Sequence, residues 1–411
     1  MKRPRKTPLS LHRDPDAFLY ILVAGITGLA LRLIFRLHIN RDPAVRQLRG
    51  PVVVIGNHPS FLDAFVMGLV MLPRRINFLT TANFFRNPLL RKLLLAVGAI
   101  PKVQFRSDIH AMKQMIATIR SGGMLGIFPE GQRSVDGRTM PYDEAIAKMI
   151  QKFDCPVVAV VEHGAYLAWP RWSLSGLRPG RIDVAVDVLF HAGEAGKMTL
   201  QQVREKIGKA LEYDEYEWQR IKRRVYRSAA PARGLHLILH RCPVCGRSRV
   251  MTDSRFCLEC RHCAYRVRVD RFGMFQAAAG WPDAAQWHRW QIDEQAREMD
   301  DPEFRLAFRV RLERPAESGQ LEIIGDGLLT VTRAGLSFQA DPGQDGRISP
   351  VLPLPFGNRA GVNADYGLNC ELVHNDEVYR FVFTDSQDVI RLVDVIQAAY
   401  EKAAAGLAQA T

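Results

Sequence analysis

His58 and Asp63 are the residues of this 411-residue chain whose types and spacing most directly suggest chemistry. An imidazole with one ring N–H held by a carboxylate keeps its other nitrogen for a substrate proton, and the carboxylate stabilises the imidazolium that forms. In one unbroken helix, a turn of about 100° per residue would point the two side chains well apart. Pro59 and Ser60 lie between them as helix-start signals, so the imidazole is expected to lean back over a first helical turn carrying Asp63. No serine or cysteine nucleophile is obvious beside the pair, which makes a substrate hydroxyl the expected source of the proton. Taken alone, the pair fits equally well a surface histidine followed by an aspartate in the first turn of a helix.

The elements that must position this pair are apolar strands that break into turns. Val52, Val53, Val54 and Ile55 run straight into Gly56, a buried strand ending just before Asn57 and His58. Gly126, Ile127 and Phe128 form a second such strand, which breaks at Pro129–Glu130–Gly131 and displays Glu130, Arg133 and Ser134. A short strand between Gly98 and Asp108 delivers Arg106, and Val157 to Val161 follow Cys155–Pro156 as another buried strand. Met112, Met115, Ile116 and Ile119 make a helical stripe ahead of Gly122–Gly123. Alternating strands and helices of this kind imply an α/β domain with a largely parallel sheet, and ligands of such sheets bind at the carboxyl ends of the strands.

With those blocks in view, residues 20 to 200 resemble the glycerolipid acyltransferase family, specifically its lysophosphatidate (1-acylglycerol-3-phosphate) acyltransferases. The block with Asn57, His58 and Asp63 and the block from Phe128 to Ser134 match nearly letter for letter. Arg106 and Pro156 mark two looser blocks in the family's order. The resemblance implies an O-acyltransferase that moves a fatty acyl group from acyl-CoA or acyl carrier protein to a lysophospholipid hydroxyl. The acceptor expected first is 1-acylglycerol 3-phosphate, giving phosphatidate. It further implies His58 and Asp63 as catalytic residues, with Asn57, Arg106, Glu130, Gly131, Arg133 and Ser134 binding substrate. Arg106 and Arg133 would clamp the acceptor's phosphate, since a guanidinium presents paired donors to its oxygens. Glu130 would orient either the glycerol hydroxyls or Arg133. One departure bears on the acceptor: relatives often carry Lys-x-Gly after the third block, and this chain has Tyr142–Asp143–Glu144–Ala145. Glycerol 3-phosphate and other lysophospholipids therefore remain open as acceptors.

A net charge of +13 favours an anionic partner such as membrane phospholipid. Residues 1–40 read as a basic arm and an interfacial helix. Ala17 to Leu31 carries no charge, falls short of the ~20 residues of a crossing helix, and is flanked by arginines on both sides. The acyltransferase domain is expected over 41–228, followed by a linker over 229–240. Of seven cysteines, five fall between Cys242 and Cys263, which argues for metal and a reducing compartment rather than for disulfides. Paired Cys-x-x-Cys knuckles over 241–272 look like a zinc ribbon. Cys242, Cys245, Cys260 and Cys263 are the expected ligands, with Cys257 competing for a place. A helical connector is expected over 273–315, and a mostly β domain closed by a helix over 316–405, similar in architecture to a pleckstrin-homology-like barrel. These features together place the expected protein at the cytoplasmic face of the plasma or inner membrane, peripheral or monotopic; nucleic-acid binding through the arginine-rich ribbon ranks below membrane lipid as the anionic partner. The rival reading is a membrane adaptor built on a retired acyltransferase fold, against which the intact His58 and Asp63 speak.

Overall fold

Val52, Val53, Val54 and Ile55 are wholly buried, as strands of a parallel sheet covered on both faces must be. The computed structural model describes residues 14–103, 108–142, 144–276, 280–315, 321–342, 352–354, 356, 362–375 and 377–410. These residues divide into two compact units that interleave along the sequence. The first comprises Met1–Arg133, Tyr142–Ala165 and Gly180–Tyr213; the second comprises Ser134–Pro141, Tyr166–Pro179 and Asp214–Thr411.

The first unit opens with α1 (Ala17–Phe35), β1 (His38–Arg41), α2 (Pro43–Gln47), β2 (Val52–Gly56) and α3 (Asp63–Val70). It continues through β3 (Ile76–Thr81), α4 (Pro88–Ala96), β4 (Ile100–Lys102), α5 (Ile109–Arg120) and β5 (Met124–Ile127). Then come α6 (Ala145–Phe153), β6 (Val157–His163), the short α7 (Ala165–Ala168), β7 (Asp183–Phe190) and α8 (Leu200–Leu211). Its seven strands form one sheet in the order β1-β7-β6-β2-β5-β3-β4. All neighbours run parallel except β6 and β7. Val53, Ile55, Leu125, Ile127, Val157 and Ala159 form a core with Met115, Ile150, Val203 and Ile207 from the helices. Because the parallel strands β6, β2 and β5 lie side by side, the segments beyond His163, Gly56 and Ile127 emerge together at one end of the sheet.

Helix α1 has two different apolar faces. Tyr20, Ala24, Gly28, Leu31 and Phe35 recur at helical spacing and are buried. Gly28 permits close approach to α3: a Cβ there would stand 2.7 Å from Leu69 Cδ1. On the other side Phe18 and Leu33 are 77% and 73% exposed, and Ile21, Ile26 and Leu29 are also bare. At 19 residues, α1 is the one helix among the described residues long and apolar enough to cross a membrane.

In the second unit α9 (Glu215–Lys222) precedes an antiparallel sheet of β8 (Met251–Asp253), β9 (Cys257–Cys260), β10 (Arg266–Val269) and β11 (Phe275–Gln276). After α10 (Ala284–Glu298) come β12 (Arg305–Pro315), β13 (Leu321–Thr332), β14 (Gly335–Ala340), β15 (Leu352–Leu354), β16 (Asn363–Asp365), β17 (Asn369–His374) and β18 (Glu377–Phe383). They form an antiparallel sheet in the order β15-β14-β13-β12-β18-β17-β16, and α11 (Asp388–Ala410) follows.

The expected helical connector over 273–315 is corrected here. Only Ala284–Glu298 is a long helix, and Arg305–Pro315 is a strand. Phe308, Val310 and Leu312 are buried while Arg305, Arg309 and Arg311 point outward, which is the period of two of a strand with one solvated face. Within the expected β domain, Leu321–Thr332 forms one long strand, β13. Gly325 and Gly327 sit opposite Leu312 and Val310 in the β12 register without ending the strand.

Candidate active site

The turn after β2 folds the imidazole onto the start of α3. Helix α3 begins at Asp63 itself, three residues later than Pro59–Ser60 suggests, with Leu62 as a cap that makes no side-chain bond. Ser60 is instead a donor to the carboxylate: its hydroxyl lies 2.7 Å from Asp63 Oδ1, and its N–H 2.9 Å from Oδ2. Asp63 Oδ2 also lies 2.7 Å from His58 Nδ1. The Asp63 side chain is wholly buried while that of His58 is 22% exposed. A carboxylate held by two Ser60 donors can only accept, so Nδ1 carries the proton and Nε2 is left as the basic nitrogen.

The turn after β5 supplies the floor and a second tether. Phe128 stacks under the imidazole with ring centroids 4.3 Å apart and planes 13° apart. Glu130 Oε1 accepts from the His58 backbone N–H at 3.0 Å. Gly131 has φ of +68°, a left-handed conformation that favours glycine, and it lets the chain double back toward Arg133. Arg133 lays its guanidinium over the Phe61 ring, 3.3 Å from the centroid. From β6, Glu162 exchanges two 2.9 Å bonds between its backbone and the Asn57 side-chain amide, pinning the strand end that precedes His58. Burial, and then the neighbouring Asp63, push the Glu162 carboxyl well above the usual carboxylate range.

The structure thus brings together Asn57, His58, Asp63, Glu130, Gly131 and Arg133 within the first unit. Ser134 belongs to the second unit: its buried hydroxyl donates to Arg138 O at 2.6 Å and accepts from Gly137 N at 2.9 Å. Arg106 lies outside the described residues. Sequence reasoning assigned no part to Ser60 as a carboxylate donor, to Phe128 as a stacking partner, or to Glu162. The signal for Glu162 is an acidic residue directly after the apolar run Val157–Val161 of β6.

In the second unit the sulfurs of Cys242, Cys245, Cys260 and Cys263 lie within 4.8 Å of one another. The Cys242–Cys263 and Cys245–Cys260 separations are 3.6 and 3.8 Å. Tetrahedral zinc with Zn–S near 2.3 Å sets its sulfurs about 3.8 Å apart, so the four fit such an ion. Gly246 and Ala264, each following the second cysteine of its knuckle, both have positive φ, at 69° and 57°. Cys257 is buried in β9 and stands outside this group.

The site defines a class: a histidine–aspartate pair at the carboxyl end of a largely parallel sheet, facing a Glu-Gly-x-Arg turn. Residues 37–162 match the family model described as Acyltransferase. The chain's similarity is to 1-acyl-sn-glycerol-3-phosphate acyltransferases. The chloroplastic enzyme of Brassica napus is 26% identical over 163 residues, which are 39% of this chain and 46% of that one. The chloroplastic Arabidopsis thaliana enzyme is 26% identical over 164 residues, 39% and 45% of the two chains. That of Bacillus subtilis is 23% identical over 112 residues, 27% and 55%. The chain therefore spans about half the length of the curated relatives it matches. Among solved structures, the 1-acyl-sn-glycerophosphate acyltransferase of Thermotoga maritima is similar at 15% identity and a TM-score of 0.38, covering 46% of this chain and 77% of that one.

Proposed function

We propose that this protein transfers a fatty acyl group from acyl-CoA or acyl carrier protein to the free hydroxyl of 1-acylglycerol 3-phosphate, yielding phosphatidate and the free thiol. The observation that carries this reading is the 2.7 Å His58–Asp63 contact, which leaves Nε2 for a substrate hydroxyl. His58 takes the hydroxyl proton as the oxygen attacks the thioester carbonyl, and Asp63 balances the imidazolium. Collapse of the tetrahedral intermediate breaks the C–S bond, and the imidazolium returns its proton to the leaving sulfur. Stacking on Phe128 and the Glu130 bond to the His58 backbone hold the base in place, so it needs little reorganisation. Arg133, with Arg106, binds the acceptor's phosphate, and Asn57 keeps the β2 terminus in register. Ser134 serves the acceptor by closing the loop that follows Arg133.

A panel of acceptors tests the assignment. Activity is expected with lysophosphatidate, and Arg133→Gln is expected to raise the acceptor KM about tenfold or more while the acyl-donor KM stays near its original value. Equal loss with a phosphate-free acceptor would remove Arg133 from phosphate binding, and preference for glycerol 3-phosphate would replace the acceptor.

The bare face of α1 supports a reading in which the protein sits at the cytoplasmic face of an anionic membrane, with the buried face of the helix holding the domain to it. Ile26→Glu with Leu33→Glu is expected to weaken flotation with anionic vesicles by about tenfold or more, because both side chains are already in solvent and their loss spares the core. Unchanged flotation would exclude this face. Zinc, held by the four thiolates, supplies a structural tether for the short strands of the ribbon. The β12–β18 sheet with its closing helix fits a pleckstrin-homology-like domain, since its strands, counted from the first, are ordered 4-3-2-1-7-6-5.

A further inference from the structure

Arg133 and Ser134 are consecutive, so the segment presenting the acceptor-binding arginine continues directly into a loop of the second unit. That loop, Ser134–Pro141, is held at every residue from 134 to 138. Ser134 closes it on Arg138 and Gly137. Val135 is buried, and its carbonyl accepts from the Tyr166 hydroxyl at 3.1 Å. Gly137 O accepts from Glu215 N at 2.9 Å, and Arg138 Nε donates to Asp214 at 2.9 Å. Asp136 reaches further along the sequence, to His288 of α10, with Oδ2 3.0 Å from Nδ1. The opposite ring nitrogen of His288 lies 2.8 Å from Asp394 of α11. His288 is 4% exposed and Asp394 wholly buried. Burial alone would push the imidazole down, yet Asp394 and Asp136 on either side raise it to about 10. It is therefore an imidazolium making two charge-assisted bonds, a rigid link from loop to α10 to α11. Nothing in the acyl-transfer chemistry uses this link, and a buried charged triad contributes little net stability compared with an apolar replacement. It does fix geometry.

We propose that Asp136 and His288 are positioning residues for the acceptor: the helix pair α10–α11 sets the path of the chain directly after Arg133, and with it the aim of the phosphate clamp. This rests on the reading of Arg133 given above. It also assigns a task to the accessory unit, whose α10 and α11 flank the β12–β18 sheet in sequence. The proposal concerns one loop and one substrate, so it differs from a general contribution to folding.

Asp136→Asn keeps the shape and removes the charge at the solvent-facing end of the triad, so it is the variant of choice. It is expected to raise the acceptor KM about tenfold, with the acyl-donor KM unchanged. Combined with Arg133→Gln, it is expected to add nothing further to acceptor KM, because both act through one contact. Amide hydrogen exchange of residues 134–141, which needs no turnover, is expected to quicken about tenfold in Asp136→Asn. His288→Gln, if it retains wild-type zinc content and melting, should behave the same way. An active wild type with unaltered acceptor KM in Asp136→Asn would overturn the inference, as would effects of the two substitutions that simply multiply. A wild type that acylates no phosphate-bearing acceptor would sink the proposed function itself and this inference with it, whatever the exchange rates.

Discussion

His58→Ala is expected to lower kcat by about 10²- to 10⁴-fold, the contribution of a positioned general base, with both KM values nearly unchanged. The protein should stay folded, because the imidazole is partly exposed and stacks on Phe128 at the sheet edge rather than filling the core. Asp63→Asn is expected to fall nearly as far for a different reason. An asparagine amide can donate to Nδ1, which would move the ring proton to Nε2 and remove the base without displacing the ring. Ser60→Ala should cost less, since Asp63 would keep the Ser60 N–H and the imidazole as partners. The graded order, with His58→Ala at or above Asp63→Asn and both above Ser60→Ala, is the signature of this site. Equal small losses in all three, measured as initial rates at saturating donor, would mean that the pair is structural.

Removing metal is expected to have the other large effect. The ribbon's strands are three, four, four and two residues long. Only a few apolar side chains, among them Met251, Leu258, Val267 and Val269, are buried there. So small a core cannot offset the conformational entropy of ordering some thirty residues at about 1–2 kcal/mol each. Structural zinc supplies about 10–16 kcal/mol in comparable four-ligand peptides, enough to decide whether this segment folds. Chelation, or Cys260→Ser, is therefore expected to open residues 241–272 to protease while the α/β sheet keeps its own core. Metal analysis should give one zinc per chain, and Cys257→Ser should leave it bound. Full protease resistance after complete metal removal would show that the four cysteines are packing residues.

Much of this was legible in the residues because the signals were local and redundant. The β-branched run into Gly56, the Pro-Glu-Gly break after Phe128 and the two Cys-x-x-Cys knuckles each combine composition with spacing. In the structure they become a strand end, a left-handed turn and two matching knuckles. Ala264 at positive φ explains why Cys263, rather than Cys257, joins the cluster. What was not legible depended on partners far along the chain. Arginines alternating with Phe308, Val310 and Leu312 read as a polar helix until β13 and β18 are placed on either side. Ser134 sits in the same short motif as Arg133, yet its hydroxyl is committed to a loop of the other unit. His288 looks like any polar position on a helix, because its partners Asp136 and Asp394 lie 152 and 106 residues away.

The central claim is that the His58–Asp63 pair drives acyl transfer to a phosphate-bearing acceptor. The measurement that tests it most directly offers purified, zinc-loaded protein in detergent a labelled acyl thioester, on coenzyme A or on acyl carrier protein, with 1-acylglycerol 3-phosphate. Labelled phosphatidate formed by the wild type and all but lost in His58→Ala is the predicted result. A folded wild type silent with both donors, or a His58→Ala variant that turns over as fast as wild type, would contradict it.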